Sequence, residues 1–395
     1  MRCTRCCSHR KQPCEQDAFT GMIRRNLVRA LWVAALVAVL LLCVRAFVGD
    51  VRRVESSSME PTLAQGEWTF VSLGVETPTR GQLVVARPPR GDMPVVKRLS
   101  GLPGESVRLV QGDVWVNGAP PEVALDAFPW ILHSDSERHA VRDSWSADAT
   151  WTDLPHGVRG DMRSTPLRLL SVDDGWWTAQ GERVDGPHAV ADIKLDVTVK
   201  WTGHPAQLIV TLHQRGEAIE LRIERMADSV ALALLNGPSD APEVARMGLA
   251  YANITELPQP EHGLEQTWTV LARDGWAYVL YNGAAFMSAP LPKQRLHKGD
   301  TLQEGRSYPP RAIVRFGAGG GDLLRLALWR DLYWQPVGAY AVERPLDLGP
   351  DQCFLLGDAS FQSRDSREWG PVPVADLLGR PVAVVWPPSA WRWLP

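Results

Sequence analysis

Cysteine is nearly absent from the main part of this 395-residue sequence, which excludes a disulfide-stabilised scaffold there. Of the 6 cysteines, only Cys353 lies after residue 43. A single thiol cannot form a bridge within the chain. Stability must therefore come from hydrophobic cores rather than from disulfides.

A basic stripe is also missing after the amino-terminal tail. The sequence has 42 Lys and Arg against 45 Asp and Glu, a formal net charge of −3. Nucleic-acid binding depends on clustered positive charge. We therefore predict no nucleic-acid partner.

The remaining cysteines are concentrated in the amino-terminal tail, which contains Cys3, Cys6, Cys7, His9 and Cys14. Thiolates and imidazoles bind zinc, but this spacing matches no standard zinc module. Two interpretations stay open, a metal site and an unstructured, reduced cytosolic tail. We favour the tail and predict no metal and no cofactor.

An unbroken apolar run at residues 30–44 follows this tail, and apolar neighbours extend it to residues 27–48. Basic residues before the run outnumber Glu15 and Asp17. Such a run can cross a bilayer, and the positive charge keeps the preceding tail in the cytoplasm. We predict a single-pass anchor in the inner (cytoplasmic) membrane, with the body of the chain on the outer, periplasmic side.

The alternative for this run is a cleavable signal peptide, cut near Val44-Arg45-Ala46. The region before the run is long for that role, so we favour a retained anchor. Both alternatives place the body of the chain outside the cytoplasm.

Helical periodicity is scarce after residue 51, whereas apolar and polar residues often alternate. Alternation is clearest over residues 193–201 and 219–224 and is typical of antiparallel strands with one wet face. Val116-Asn117-Gly118 predicts a hairpin turn. Strands are also expected at 68–73, 82–86, 106–110, 114–117, 230–235, 267–271, 276–281 and 323–329.

These patterns predict a mainly β protein in which one β-rich region interrupts another. Residues 125–165 show no clear period and are expected to be loop, and the strand pattern that resumes from residue 167 suggests a β-sandwich. We predict five segments: tail 1–26, anchor 27–48, first catalytic part 51–120, inserted β-sandwich 121–335 and second catalytic part 336–395.

Three short stretches carry the candidate chemistry. Residues 55–63 read Glu-Ser-Ser-Ser-Met-Glu-Pro-Thr-Leu, residues 95–105 contain Lys-Arg-Leu-Ser-Gly-Leu-Pro-Gly-Glu, and residues 355–373 contain Gly-Asp-Ala-Ser and Ser-Arg-Asp-Ser-Arg-Glu-Trp-Gly. Taken singly, each is typical of a polar loop, a solvated basic pair or a charged turn. Their order after an apolar segment is much more specific.

Together the three stretches resemble bacterial type I signal peptidases, the serine–lysine leader peptidases. The resemblance covers about residues 27–120 and 340–387 and implies that Ser58 is the nucleophile and Lys97 the general base. A serine hydroxyl needs a base, and burial can lower a lysine pKa far enough to provide one. The resemblance also implies an antiparallel β catalytic domain.

Further roles follow from the same resemblance. The oxyanion hole would consist of the Ser58 backbone N–H and the Ser56 hydroxyl, and Ser363, Asp365 and Arg367 would be supporting residues. Two positions depart from the family pattern. Ala359 replaces a common Asn, and Gln82 replaces the acidic residue of an Arg-Gly-Asp strand motif.

The activity implied is that of a membrane-bound serine endopeptidase. It would remove signal peptides from exported preproteins through an acyl-enzyme, cutting after small residues in the pattern Ala-x-Ala. Its partners would be secretory preproteins and the lipid bilayer, where Trp386, Trp391 and Trp393 could lie at the interface. Core packing explains these tryptophans equally well.

The inserted β-rich region is faintly similar to concanavalin-like sandwiches, which suggests a glycan or protein ligand. Arg330, Asp331 and Tyr333, where the chain returns to the catalytic part, are expected to form a solvated turn. Three other functions stay open: a self-cleaving repressor-type peptidase, a cell-surface binding protein and an inactive homologue. The apolar segment and the third stretch argue against the repressor type.

Overall fold

A computed structural model describes residues 29, 31–37, 39 and 49–394 of the chain. It leaves out, within the last range, residues 76, 92, 111, 122–127, 139, 170, 179–180, 187, 189, 191, 215–216, 228, 239–245, 255–264, 274 and 292–311. The tail at 1–26 and most of the predicted anchor at 27–48 lie outside the described residues. Residues 29, 31–37 and 39 are helical. Within the described part of the chain, no helix combines the length and the apolar character needed to cross a membrane.

The described chain is mainly β, as predicted. The first sheet is antiparallel and has the strand order β1-β2-β26-β3-β4-β24-β25, with β27 paired to β26. Its strands, numbered along the chain, are β1 (Gly49–Arg53), β2 (Trp68–Leu73), β3 (Leu83–Ala86), β4 (Val95–Gly101), β24 (Gln352–Leu356), β25 (Val372–Pro373), β26 (Leu377–Trp386) and β27 (Arg392–Trp393). Residues from both ends of the sequence therefore form one sheet.

A small sheet of three strands lies next along the chain. It consists of β5 (Ser106–Val110), β6 (Asp113–Val116) and β23 (Leu346–Asp347). Asn117 and Gly118 both have positive φ, at 52° and 86°, and Val116 N donates to Ala119 O at 2.8 Å. The predicted tight turn at this position is confirmed, since both central residues have the left-handed backbone of a type I′ turn.

Two larger sheets occupy the middle of the sequence. One has the order β20-β19-β18-β13-β22-β9-β8 with β7 paired to β22, and the other has the order β10-β21-β14-β15-β16-β17. The first contains β7 (Ile131–Asp135), β8 (Thr152–Asp153), β9 (Val158–Asp161), β13 (Ile193–Trp201), β18 (Glu265–Arg273), β19 (Trp276–Tyr281), β20 (Ala284–Pro290) and β22 (Gly320–Arg330). The second contains β10 (Leu167–Leu169), β14 (Ala206–Gln214), β15 (Glu217–Arg225), β16 (Val230–Pro238), β17 (Met247–Ile254) and β21 (Ala312–Ala318). A separate ribbon pairs β11 (Trp176–Trp177) with β12 (Arg183–Val184).

One hydrophobic core joins these two sheets. In β13, Ile193, Leu195, Val197 and Val199 are fully buried and share a cluster with inward residues of β14 and β15. Successive side chains of a strand point to opposite faces. The predicted alternation over residues 193–201 is therefore confirmed, and its apolar face is the inner face of a two-sheet core.

The expectation of loop over residues 125–165 is wrong in part, because β7 and β9 are strands of the sheet that contains β13 and β22. β7 reads Ile-Leu-His-Ser-Asp, and its buried members include Ser134 and Asp135. Arg325 of β22 donates two hydrogen bonds to the Asp135 carboxylate, at 3.1 and 2.6 Å. Buried polar residues therefore occupy strand positions where an alternating pattern would have apolar ones, and the sequence did not reveal this strand.

The expectation of a solvated turn at residues 330–333 is also wrong. Arg330 is buried and donates to the backbone oxygens of Gly175 at 2.9 Å and Asp174 at 2.7 Å. Asp331 is buried in an ion pair with Arg273 at 3.0 Å. Ionic side chains are rarely buried unless they are paired, and the partners here come from distant segments that a local pattern does not reveal.

Regular helix is limited to short pieces among the described residues after residue 49. They are α1 (Val141–Ser144), α2 (Ser366–Trp369) and the 3₁₀ turns Ser57–Met59, Ser360–Gln362, Val374–Asp376 and Pro388–Ala390. Of the candidate site residues, Ser58 lies in the first of these 3₁₀ turns and Arg367 lies in α2.

Candidate active site

Ser58 lies in the 3₁₀ turn Ser57–Met59, between β1 and β2. Met59, the last residue of the turn, and Leu63, which follows it, are buried in one small hydrophobic core. This core fixes the turn against the first sheet. The Ser58 carbonyl oxygen accepts a hydrogen bond from Ala359 N at 3.1 Å. The serine is therefore held from both sides, with only 7% of its surface exposed.

Lys97 lies in β4, which is paired to β3 through Lys97 and Val84. Its side chain is 2% exposed, and its Nζ donates a hydrogen bond to Ser58 Oγ at 2.5 Å. Val96 and Leu99 belong to the cores on the two sides of this sheet. The structure thus brings together two predicted residues that are far apart in sequence.

Burial is the largest influence on the Lys97 amine and lowers its pKa from 10.5 to about 8. The charges of Asp365 and Asp358 raise this pKa, and that of Arg367 lowers it. The physical cause is desolvation, because an apolar environment disfavours the charged form of an amine. About half of the amine is therefore neutral at about pH 8, and this neutral form has a lone pair available for a proton.

Ser56 precedes the turn with extended backbone, at φ −131° and ψ 159°. Its Oγ lies 3.1 Å from Ser58 Oγ, within hydrogen-bond distance. The second predicted hydroxyl is therefore beside the first. It is close enough to reach an oxygen of a group bound to Ser58.

A buried ion pair that the sequence interpretation did not single out supports the serine turn. Arg98 donates to the Asp358 carboxylate through Nε at 2.8 Å and Nη2 at 2.5 Å. Thr62 Oγ1 donates to the same carboxylate at 2.5 Å. Since neighbouring residues of a strand point to opposite faces, Lys97 and Arg98 have separate roles. The sequence signal for this ion pair lay in the three stretches, where Arg98, Asp358 and Thr62 belong to the Lys-Arg, Gly-Asp and Pro-Thr pairs.

Asp365 and Arg367 form a second buried cluster behind the site. The Asp365 carboxylate accepts from Gly357 N at 3.0 Å and from Arg367 Nε and Nη2 at 2.8 Å each. Arg367 Nη1 also donates to Ser360 Oγ at 2.7 Å. These bonds fix the segment 357–360, whose backbone holds the Ser58 carbonyl.

Ser363 lies against this segment, and its backbone oxygen accepts a hydrogen bond from Arg367 Nη2 at 3.5 Å. Its Oγ is buried and has no hydrogen-bond partner among the described residues. A Cβ added to Gly357 would stand 2.1 Å from Ser363 Oγ and 2.6 Å from the Ser58 carbonyl oxygen. Gly357 is therefore required by the close approach of Ser58 and Ser363.

The two departures from the family pattern are accommodated locally. Ala359 is buried, and its N–H makes the bond to Ser58 described above. Gln82 Oε1 accepts from Thr79 N and Thr79 Oγ1, at 3.1 Å each. Neither position contacts the serine hydroxyl or the lysine amine through these bonds.

The edge of β4 near Lys97 is open on one side. β24 pairs with β4 through Leu356 and Arg98, then Leu355 and Leu99, then Phe354 and Gly101. Within the described chain, no strand pairs with residues 95–97 on that side. An extended peptide could add there as a further strand, with its carbonyl groups passing the two candidate catalytic side chains.

No cluster of His, Cys, Asp and Glu suited to a metal ion occurs among the residues that the structure describes. A buried lysine amine in contact with a serine hydroxyl is the arrangement of serine–lysine hydrolases.

Known proteins agree with this class. A profile of the family described as "Signal peptidase, peptidase S26" matches residues 24–153 and 334–386. Signal peptidase I of Bacillus licheniformis is 33% identical over 163 residues, which cover 39% of this chain and 83% of the relative. Signal peptidase I T of Bacillus subtilis is 34% identical over 161 residues, which cover 40% of this chain and 79% of the relative. The chain belongs to the signal peptidase I family and is a serine peptidase.

Solved structures were matched at much lower similarity. A carbohydrate binding module from Bacillus subtilis is 10% identical, with a TM-score of 0.26, and the match covers 47% of this chain and 92% of that one. An endo-β-galactosidase from Clostridium perfringens is 8% identical, with a TM-score of 0.34, and the match covers 54% of this chain and 66% of that one. Such low scores establish no relationship in fold or function.

Proposed function

We propose that this peptidase removes amino-terminal signal peptides from exported preproteins, with Ser58 as nucleophile and Lys97 as general base. The observation that carries the proposal is the 2.5 Å contact between Lys97 Nζ and Ser58 Oγ, with both groups buried. Family membership supports the substrate class, and the lowered lysine pKa supports the role of base.

In the proposed mechanism, neutral Lys97 Nζ takes the proton of Ser58 Oγ while Oγ bonds to the scissile carbonyl carbon. The Lys97 ammonium then gives that proton to the leaving amine as the carbon–nitrogen bond breaks. An ester to Ser58 remains. Lys97 next takes a proton from water, whose oxygen attacks the ester carbonyl, and the proton returns to Ser58 Oγ as the leader is released.

The negative oxygen of each tetrahedral intermediate needs hydrogen-bond donors. We assign these to the Ser58 backbone N–H and to the Ser56 hydroxyl, because Ser56 Oγ already lies 3.1 Å from Ser58 Oγ. Asp365 and Arg367 would act as positioning residues, since they fix the segment that binds the Ser58 carbonyl. Ser363 would act beside them, with a hydroxyl free for a partner that arrives with substrate.

The leader peptide would bind as an added strand on the open edge of β4. Main-chain hydrogen bonds provide affinity in this mode, and shallow pockets for alternate side chains provide selectivity. By family resemblance, the pockets would accept small residues at the cut and two positions before it, in the pattern Ala-x-Ala.

We also propose a division of the chain into a catalytic domain and an insertion. Residues 51–120 and 336–395 would form the catalytic domain and 121–335 an inserted sandwich with a glycan or protein ligand, after a tail at 1–26 and an anchor at 27–48 in the inner membrane. Trp386, Trp391 and Trp393 are exposed, which suits a place at the membrane surface.

Cleavage of a preprotein with Ala-x-Ala before the cut tests this function. Ser58→Ala and Lys97→Ala are expected to abolish cleavage in the full chain. The matched controls are Ser72→Ala, at a serine on the surface of β2, and Lys194→Ala, at a partly buried lysine paired with Asp196 in β13. Both controls should cleave normally. Normal cleavage by either Ser58→Ala or Lys97→Ala would refute the proposal.

A further inference from the structure

A tryptophan of the predicted insertion reaches the serine turn. Trp176 lies in β11 and is 1% exposed. Its indole Nε1 donates to Glu60 Oε2 at 3.2 Å, two residues after Ser58. Its ring packs on Phe361 with 5.3 Å between centroids and an interplanar angle of 38°. One side chain therefore joins the insertion to two segments of the candidate active site.

Phe361 is the exposed member of this contact. It retains 37% of its surface area and occupies the 3₁₀ turn Ser360–Gln362. That turn lies against the serine turn, because Ser57 Oγ donates to Gln362 Oε1 at 2.8 Å and Ala359 N donates to the Ser58 carbonyl at 3.1 Å. An apolar ring thus stands at the rim of the site, backed by a buried tryptophan.

The position of the open edge shows which part of a substrate would meet this ring. The edge of β4 ends at Lys97, since Arg98 is already paired with Leu356 of β24. A leader peptide on residues 95–97 therefore has its cut at the closed end of the edge. The residues that follow the cut must leave past the segment that continues β24, residues 357–362, which contains Phe361.

We infer that Phe361, held in place by Trp176, is a specificity-determining residue that contacts an apolar side chain within the first two residues after the cut. The inference rests on the proposed function and extends it to the mature side of the substrate. The insertion would thereby contribute to substrate recognition through Trp176.

The physical reasons are burial and positioning. A half-exposed aromatic ring gains from covering its remaining apolar surface with a substrate side chain. An aromatic pair is stabilised beyond the burial of its surface area, so the contact with Trp176 restrains the orientation of the Phe361 ring. The hydrogen bond from Trp176 to the Glu60 carboxylate further fixes the indole, so that Phe361 presents a constant surface.

Two precursor peptides with one leader sequence test the inference, one with Leu and one with Ser at the first two positions after the cut. The quantity measured is the ratio of their kcat/KM values for the full chain. We expect the unaltered protein to favour the Leu peptide by about 10-fold, the lower end of the range for small apolar contacts. Phe361→Ala should bring the ratio close to one, and Phe361→Leu should retain part of it. Trp176→Phe, which loses the indole N–H, should lower the ratio partially.

Phe286→Ala is the matched control, because Phe286 is 41% exposed in the edge strand β20. It should leave the ratio and both rates unchanged. An unchanged ratio in Phe361→Ala, or an equal fall for both peptides, would overturn the inference. Failure of the proposed function is separate, since it would appear as cleavage by Ser58→Ala.

Discussion

The guanidinium of Arg98 and the carboxylate of Asp358 form a two-bond ion pair, with both side chains completely buried. The two residues are 260 positions apart and join β4 to the end of β24. The Asp358 carboxylate also holds Thr62, so the serine turn, the lysine strand and the third stretch meet at one charge pair.

Asp358→Ala is expected to destabilise the protein by about 3–5 kcal/mol, since it leaves the Arg98 charge buried without its partner. The measurement is the free energy of unfolding in denaturant. The control is Glu368→Gln, which removes the exposed pair between Arg364 and Glu368 at 2.8 Å and should cost about 0.5 kcal/mol or less. Equal effects of the two substitutions would contradict a structural role for the buried pair.

Gly357→Ala is expected to lower kcat by about 100-fold. The new Cβ would meet the Ser58 carbonyl oxygen at 2.6 Å, so the serine turn must shift. A displacement of about 1 Å at a reacting group has an effect of this size. Gly203→Ala is the control, because a Cβ there meets nothing within 4 Å. Full activity of Gly357→Ala would show that the close contact at this position is unnecessary.

Ser56→Ala is expected to lower kcat by roughly 100- to 1000-fold with little change in KM, the effect of removing one oxyanion donor. Ser56→Thr keeps a hydroxyl and should recover part of the loss. A change confined to KM would instead assign Ser56 to substrate binding.

Lys97→Met is expected to stabilise the protein at neutral pH while abolishing activity. The pKa falls from 10.5 in a solvated lysine to about 8 in the folded chain. The folded chain therefore binds fewer protons between these two pH values, and its stability rises with pH across them. Burial of the charged Lys97 amine therefore lowers the free energy of unfolding by its full amount below pH 8, which is about 3 kcal/mol. The gain from Lys97→Met should thus be largest below pH 8 and absent above about pH 10.5. A loss of stability at neutral pH would contradict the desolvated amine.

Local patterns predicted many of the strands, and family resemblance predicted the two candidate catalytic residues. β2, β5 and β19 have the predicted bounds, because apolar alternation and turn residues mark them directly. Ser58 and Lys97 were singled out by the resemblance of the three stretches to type I signal peptidases, and the chemistry of a serine beside a buried lysine fits those roles. The expectation that these two side chains meet came from family resemblance rather than from spacing, and the structure places Lys97 Nζ 2.5 Å from Ser58 Oγ.

Contacts between distant segments could not be predicted in this way. β7 was missed because it carries the buried polar residues Ser134 and Asp135, and the partner of the Asp135 carboxylate, Arg325, lies on the distant strand β22. The hydrogen bond from Trp176 to Glu60 spans 116 positions. The local sequence around either residue does not predict this contact, because it depends on how whole sheets pack.

The pH dependence of kcat/KM for a cleaved precursor tests the central claim most directly, because it reports the pKa of the free enzyme's base. In the proposed mechanism neutral Lys97 is the active form, so activity should be lost as pH falls and should rise through a midpoint at about 8. A profile that stays flat from about pH 6 to 10, or a midpoint at the ordinary lysine value of 10.5, would contradict a buried, neutral Lys97 as the base for Ser58.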